Sequence, residues 1–287
     1  MKFAEQPLAS TTWHSEINLP RISSAVLSHY TVRYQVWGQG RPLVLVPGLA
    51  GGMGLITPLA KMLAAQNFQV ISYEFRGEDD CFALRRRFGM KDLVNDLDEF
   101  IQHQRLEKPF VLGISFGGAI ALQLAARNPH RLAGVMSQGL NLRFEKSLLR
   151  HIAGHVLSEY PLPTNSPFVN QFFNLLFGSK PKNRDTFEFV SSQIWQTDQS
   201  VMTHRFRLAE KLNLKPILKR LQLPVMLINA EKDLLISAKA VDEFAREVPH
   251  AVIKEIPEAG HLAFVTHADQ ISQLATQFAD KFVWKKK

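Results

Sequence analysis

The sequence predicts a doubly wound, mostly parallel α/β sheet with an inserted helical segment, on three observations. Short apolar runs bounded by Gly and Pro recur along the chain, segments of helical spacing separate most of them, and residues 141–215 interrupt the alternation without a strand. The first run, 43–46, stops at Pro47 and Gly48. It is continuous rather than alternating, as expected of a strand covered by helices on both faces. Runs at 69–75, 109–112, 133–137, 224–229 and 251–256 repeat the pattern. Upstream, 25–35 alternates loosely and ends at Gly38-Gln39-Gly40, which predicts a hairpin leading into the first run. Helical spacing spans 55–66, 91–105, 116–127, 238–248 and 268–283. Such alternation builds right-handed crossovers, with binding groups gathered at the carboxyl ends of the strands.

The core is therefore expected in 1–140 and 216–287, with 141–215 as a helical lid punctuated by Pro161, Pro163, Pro167, Gly178 and Pro181. Phe168, Phe172, Phe173 and Phe177 recur at helical spacing, and Phe187, Phe189, Trp195 and Phe206 add further rings. Most should pack the insertion onto the sheet. Phe168, Phe172, Phe173 and Trp195 are candidates for lining a substrate pocket.

Composition excludes several classes. Hydrophobic residues make up 46% and charged residues 21% of 287, ordinary for a globular domain and unlike a disordered or fibrous chain. One cysteine, Cys81, permits neither an internal disulfide nor a thiolate metal cluster. The net charge is +8, with contiguous Arg85, Arg86 and Arg87, a lysine tail, and a basic stretch 205–220 that would attract anionic substrates, with a rate that falls with salt. No zinc spacing, basic zipper or RNA-binding signature accompanies these charges, so no nucleic-acid partner is expected. Polar residues from Glu5 to Glu16 stand where a signal peptide would need an apolar core, and no run approaches a membrane span. A cytoplasmic location follows as an expectation, and oligomeric state is left open.

The segment that carries chemistry is 109–126. The run Phe110-Val111-Leu112 enters Gly113-Ile114-Ser115-Phe116-Gly117 and then a helix. The bare GxSxG pattern arises by chance in roughly one chain of this length in ten, so its weight comes from the strand-to-helix setting. A tight turn there throws Ser115 outward, and side chains two residues before or after it would clash. The helix that starts at Phe116 aims its amides and positive dipole end at the same point, which favours an oxyanion. A serine hydroxyl needs a base, and His261 follows the last apolar run. Asp233 follows the run before it, with Glu231 as the alternative acid if Asp233 only caps a helix. His267 is the nearest spare histidine.

On these residues the chain resembles the α/β-hydrolase superfamily, specifically its lid-bearing serine esterases and lactonases, from Tyr30 to the C-terminus outside the lid. The resemblance implies Ser115 as nucleophile, His261 as base and then acid, and Asp233 as the residue orienting the imidazole. It also implies an oxyanion hole from the backbone amides of Leu49 and Phe116, with Pro47 where His is commoner. After the fourth strand Arg76 and Gly77 match the family turn, whereas Glu78, Asp79 and Asp80 replace its glycine and serine, so that loop is expected to be displaced. Serine at position 115 disfavours dehalogenase and epoxide-hydrolase chemistry, which uses aspartate there.

The expected function is hydrolysis of a carboxylic ester, lactone or thioester with an apolar portion, through an acyl-enzyme, without metal or cofactor. Two alternatives share the same residues: acyl transfer or carbon-carbon hydrolysis by the same triad, and a catalytically silent fold that binds a small ligand.

Overall fold

In each central strand, alternate residues face opposite sides, and both sides are apolar. Leu43 and Leu45 join one buried cluster while Val44 and Val46 join another, and Leu112 and Val111 divide in the same way. A strand of this kind is stable only with helices on both faces. The computed structural model describes residues 20–78, 87–143, 167–178 and 183–282.

Strands β1 (Ser23–Val26), β2 (Thr31–Trp37) and β3 (Arg41–Val46) are followed by helices α1 (Gly52–Leu55) and α2 (Thr57–Ala65). Then come β4 (Phe68–Tyr73), α3 (Met90–His103), β5 (Phe110–Ile114), α4 (Phe116–Arg127) and β6 (Gly134–Gln138). Among the described residues, four helices lie between β6 and β7: α5 (Pro167–Phe177), α6 (Arg184–Ile194), α7 (Gln199–Glu210) and α8 (Lys215–Leu218). The chain returns to the sheet with β7 (Val225–Ala230), α9 (Ala238–Glu247), β8 (Val252–Ile256), α10 (Ala263–Thr266) and α11 (Ala268–Lys281).

The eight strands lie in the order β1-β2-β4-β3-β5-β6-β7-β8, parallel from β4 to β8 and antiparallel at the β1 and β2 end. Strands β5 and β6 are buried at every position, in keeping with their place at the centre. Residues of α3, α4 and α9 cover one face and those of α2 and α11 the other. The edge strand β8 exposes Lys254 and Glu255, charges that discourage pairing with another sheet.

All six apolar runs form strands, shifted by a residue or two; the second ends at Tyr73, leaving Phe75 to pack in the loop beyond. The hairpin expectation needs correction. Strand β2 pairs with β1 and with β4, not with β3. Because β3 is flanked on both sides by parallel partners, β4 and β5, no edge of it is left for a hairpin.

Candidate active site

Ser115 stands between the last residue of β5 and the first of α4, with φ 50° and ψ −111°. A non-glycine residue in that region carries strain of about 1–3 kcal/mol, tolerated only where surrounding structure enforces it. Here the Ser115 amide donates to the Gln138 carbonyl at 2.7 Å and its own carbonyl accepts from the Gly118 amide at 2.9 Å. The flanking glycines are forced by contact. A Cβ on Gly113 would lie 2.4 Å from the Gly117 carbonyl oxygen, and one on Gly117 would lie 2.3 Å from that of Pro47. The first turn of α4 thus packs directly on the loop after β3.

Asp233 follows β7 in a turn closed by its amide on the Ala230 carbonyl at 3.0 Å. Its Oδ1 accepts the amides of Leu235 and Ile236 at 2.8 and 3.2 Å, which fixes the carboxylate and leaves Oδ2 to face the imidazole. His261 follows β8, and its loop is tied to the acid's loop by the Lys232 amide on the Ala259 carbonyl at 2.8 Å. Gln138 Nε2 donates to the His261 carbonyl at 3.2 Å. Asp233 Oδ2 lies 2.8 Å from His261 Nδ1, and His261 Nε2 lies 3.1 Å from Ser115 Oγ. Residues from three separate loops therefore form one line of hydrogen bonds. A carboxylate on Nδ1 favours the tautomer protonated there, so Nε2 is left to accept the serine proton. Glu231, the alternative acid, instead accepts the Glu258 amide through Oε2 at 2.8 Å.

Among the described residues, none accepts a hydrogen bond from the backbone amide of Leu49 or of Phe116. The Phe116 amide is one of the orphan donors that every helix start leaves open, and it sits one residue beyond Ser115. The remainder of the Leu49 loop is held by groups that sequence reading missed. Arg205, on α7, is fully buried. It donates to the Glu78 carboxylate, to the Leu49 carbonyl at 3.3 Å and to the Arg76 carbonyl at 3.2 Å. Thr197 Oγ1 lies 3.2 Å from Glu78 Oε1 and accepts the Gly51 amide at 2.9 Å.

Within the basic stretch 205–220, Arg205 is buried against Glu78 and so is not available to an anionic substrate, while the partly exposed Lys215 pairs with Glu243. The signal was present. Val201, Arg205 and Ala209 are spaced by four and share one buried helix stripe, and Glu78 is where the sequence departs from the family turn. That carboxylate points into the protein. Asp79, Asp80, Cys81, Arg85, Arg86 and the lysine tail lie outside the described residues.

The turn carrying Glu78 is braced by Arg76, whose Nε donates to Asp96 Oδ2 at 2.7 Å. Burial raises the Asp96 carboxyl above its ordinary value, outweighing the opposing pull of Arg76. A carboxyl raised on folding contributes most stability below its unfolded pKa and loses that contribution as pH rises through its folded pKa.

Of the four pocket candidates, the side chains of Phe168 and Phe172 lie outside the described residues. Phe173 is buried, with its ring centroid 6.3 Å from Phe187 and 6.1 Å from Trp195. These rings share an apolar cluster with Leu262, the residue after His261, and the Leu262 amide donates to the Leu176 carbonyl of α5 at 3.1 Å. The helices between β6 and β7 therefore abut the histidine loop. Among the described residues, no three metal-ligating side chains gather, and no helix is long and apolar enough to cross a membrane.

A sequence profile described as alpha/beta hydrolase fold matches residues 41–268. The chain is 24% identical over 245 residues to a pimeloyl-(acyl-carrier protein) methyl ester esterase of Aliivibrio salmonicida, spanning 83% of this chain and 91% of that protein. It is 28% identical over 210 residues to a magnesium-chelatase 30 kDa subunit of Rhodobacter capsulatus, spanning 66% of this chain and 69% of that one. Among solved structures, the enol-lactonase of Burkholderia xenovorans LB400 superposes with a TM-score of 0.77 at 17% identity, covering 90% of this chain and 100% of that chain. That likeness is one of fold.

Proposed function

The chain belongs to the alpha/beta hydrolase fold family, and from that premise we propose a serine hydrolase that cleaves a carboxylic ester, lactone or thioester with an apolar acyl portion. The observation that carries this reading is the 3.1 Å approach of His261 Nε2 to Ser115 Oγ, with Asp233 2.8 Å behind the ring.

Ser115 Oγ attacks the carbonyl carbon as its proton passes to His261 Nε2, and the oxygen that becomes negative is received by the amides of Leu49 and Phe116. Collapse breaks the bond to the leaving alkoxide or thiolate, which takes the proton back from the imidazolium. Water then gives a proton to Nε2 and attacks the acyl-enzyme, releasing the acid and restoring the serine. Asp233 holds the ring in register throughout and offsets the imidazolium charge.

Residues 141–215 act as the lid over a core formed by 1–140 and 216–287. The apolar side chains of α5 and α6 beside the histidine loop support an apolar acyl group, and the commitment of Arg205 to Glu78 leaves that cation unavailable to an anionic one. The curated Aliivibrio relative is itself named for a carboxylic ester.

Each methylene buried by such a slot is worth about 0.8 kcal/mol, roughly fourfold in kcat/KM. Initial rates on p-nitrophenyl acetate, butyrate and octanoate are therefore expected to rise steeply with length. Equal kcat/KM across the three would contradict an apolar slot.

A further inference from the structure

We propose that Arg205, Glu78 and Thr197 form a positioning device for the oxyanion loop, so that α7 and the turn before it set the donor geometry at Ser115. The inference rests on the hydrolase reading above and extends it to residues outside the catalytic line.

The loop after β3 supplies the Leu49 amide, and the two peptides that follow that amide's own peptide are held from the segment between β6 and β7. Arg205 fixes the Leu49 carbonyl, and Thr197 Oγ1 fixes the Gly51 amide. Glu78 joins the two, accepting from Arg205 and from Thr197. The second donor is reached through an aromatic relay. The Arg205 guanidinium lies 5.0 Å from the centroid of Phe75, whose ring meets that of Phe116 edge-on at 6.1 Å. One buried cation thus touches the Leu49 carbonyl, one peptide beyond the donor amide, and the Phe116 side chain through one intervening ring.

Stability alone does not account for this arrangement. Burying an ion pair roughly breaks even against an apolar pair of the same shape, because desolvation offsets the attraction. What a buried, multiply bonded pair does provide is a single geometry for the segments it joins. Here those segments are the oxyanion loop, the turn after β4 and α7. Small displacements of an oxyanion donor cost rate, since the hole acts on the charge that develops only in the transition state.

Removing Arg205 itself would strand a buried carboxylate and threaten folding, so milder changes test the inference. In the full-length chain, Thr197→Val removes the hydroxyl that links Glu78 to the Gly51 amide at nearly constant volume, Thr197→Ser keeps it, and Glu78→Gln removes the charge. With p-nitrophenyl butyrate, kcat is expected to fall roughly 10- to 100-fold in Thr197→Val and Glu78→Gln, with KM changed less than about threefold. Affinity for a butyl trifluoromethyl ketone, whose hemiketal oxygen occupies the hole, is expected to weaken by a similar factor. Thr197→Ser is expected to restore kcat, with the thermal midpoint of Thr197→Val near that of the unsubstituted protein. Undiminished kcat in folded Thr197→Val, or a loss confined to KM, would overturn the inference even if Glu78→Gln failed to fold. An unsubstituted protein without Ser115-dependent turnover would overturn the hydrolase reading and this one with it; turnover indifferent to Thr197→Val overturns this one alone.

Discussion

A Ser115→Ala variant is expected to lose on the order of 10⁶ in kcat on an activated ester, leaving only the residual catalysis of binding and the oxyanion hole. The size of the effect follows from position. Ser115 Oγ is the group 3.1 Å from His261 Nε2, and no water can take over covalent catalysis from the site its side chain vacates with the same alignment. The substitution adds no volume, so fold and melting behaviour are expected to persist. KM carries little information in such a variant, and single-turnover rates against a purified background are the measurement that decides. A loss of less than about tenfold would mean that turnover follows a route without this hydroxyl.

The second large effect separates the two carboxylates near the histidine. Asp233→Asn is expected to lower kcat about 10⁴-fold by presenting the imidazole with a partner that stabilises the wrong tautomer. Glu231→Gln is expected to remain within about twofold of the unsubstituted protein, since its carboxylate accepts the Glu258 amide at the loop surface and does not reach the ring. Parallel steady-state measurements of the two variants check the assignment, and the reverse ranking would make Glu231 the acid.

Much of the architecture was legible because central strands leave a strong imprint. A residue covered by helices on both sides is mostly apolar, and five such runs between breakers mark β3 to β7, while a sixth, interrupted by Lys254 and Glu255, marks the edge strand β8. Helix α4 was legible to both ends, since the glycine-rich turn starts it and Asn128-Pro129 stops it. Strand order was less so: Gly38-Gln39-Gly40 reads locally as a hairpin, and only the parallel pairing of β3 on both edges rules that out.

At the candidate site, local rules reached the residues whose backbone is unusual. Ser115 announces itself through its flanking glycines, and Asp233 and His261 through their places after strands. The groups that hold the loop after β3 escaped because they act across the fold. Arg205 looks like a member of a charged stripe until its spacing with Val201 and Ala209 is set beside its complete burial. Glu78 reads as a departure from a family turn, and its partners come from more than a hundred residues away. Thr197 carries no sequence signal that distinguishes it from a helix-flanking threonine.

Covalent labelling tests the central claim most directly. After exposure to a fluorophosphonate, mass spectrometry of the intact chain followed by peptide mapping is expected to find one adduct, on Ser115, with no adduct in Ser115→Ala. Equal labelling of both proteins, or no labelling while ester turnover proceeds, would contradict it.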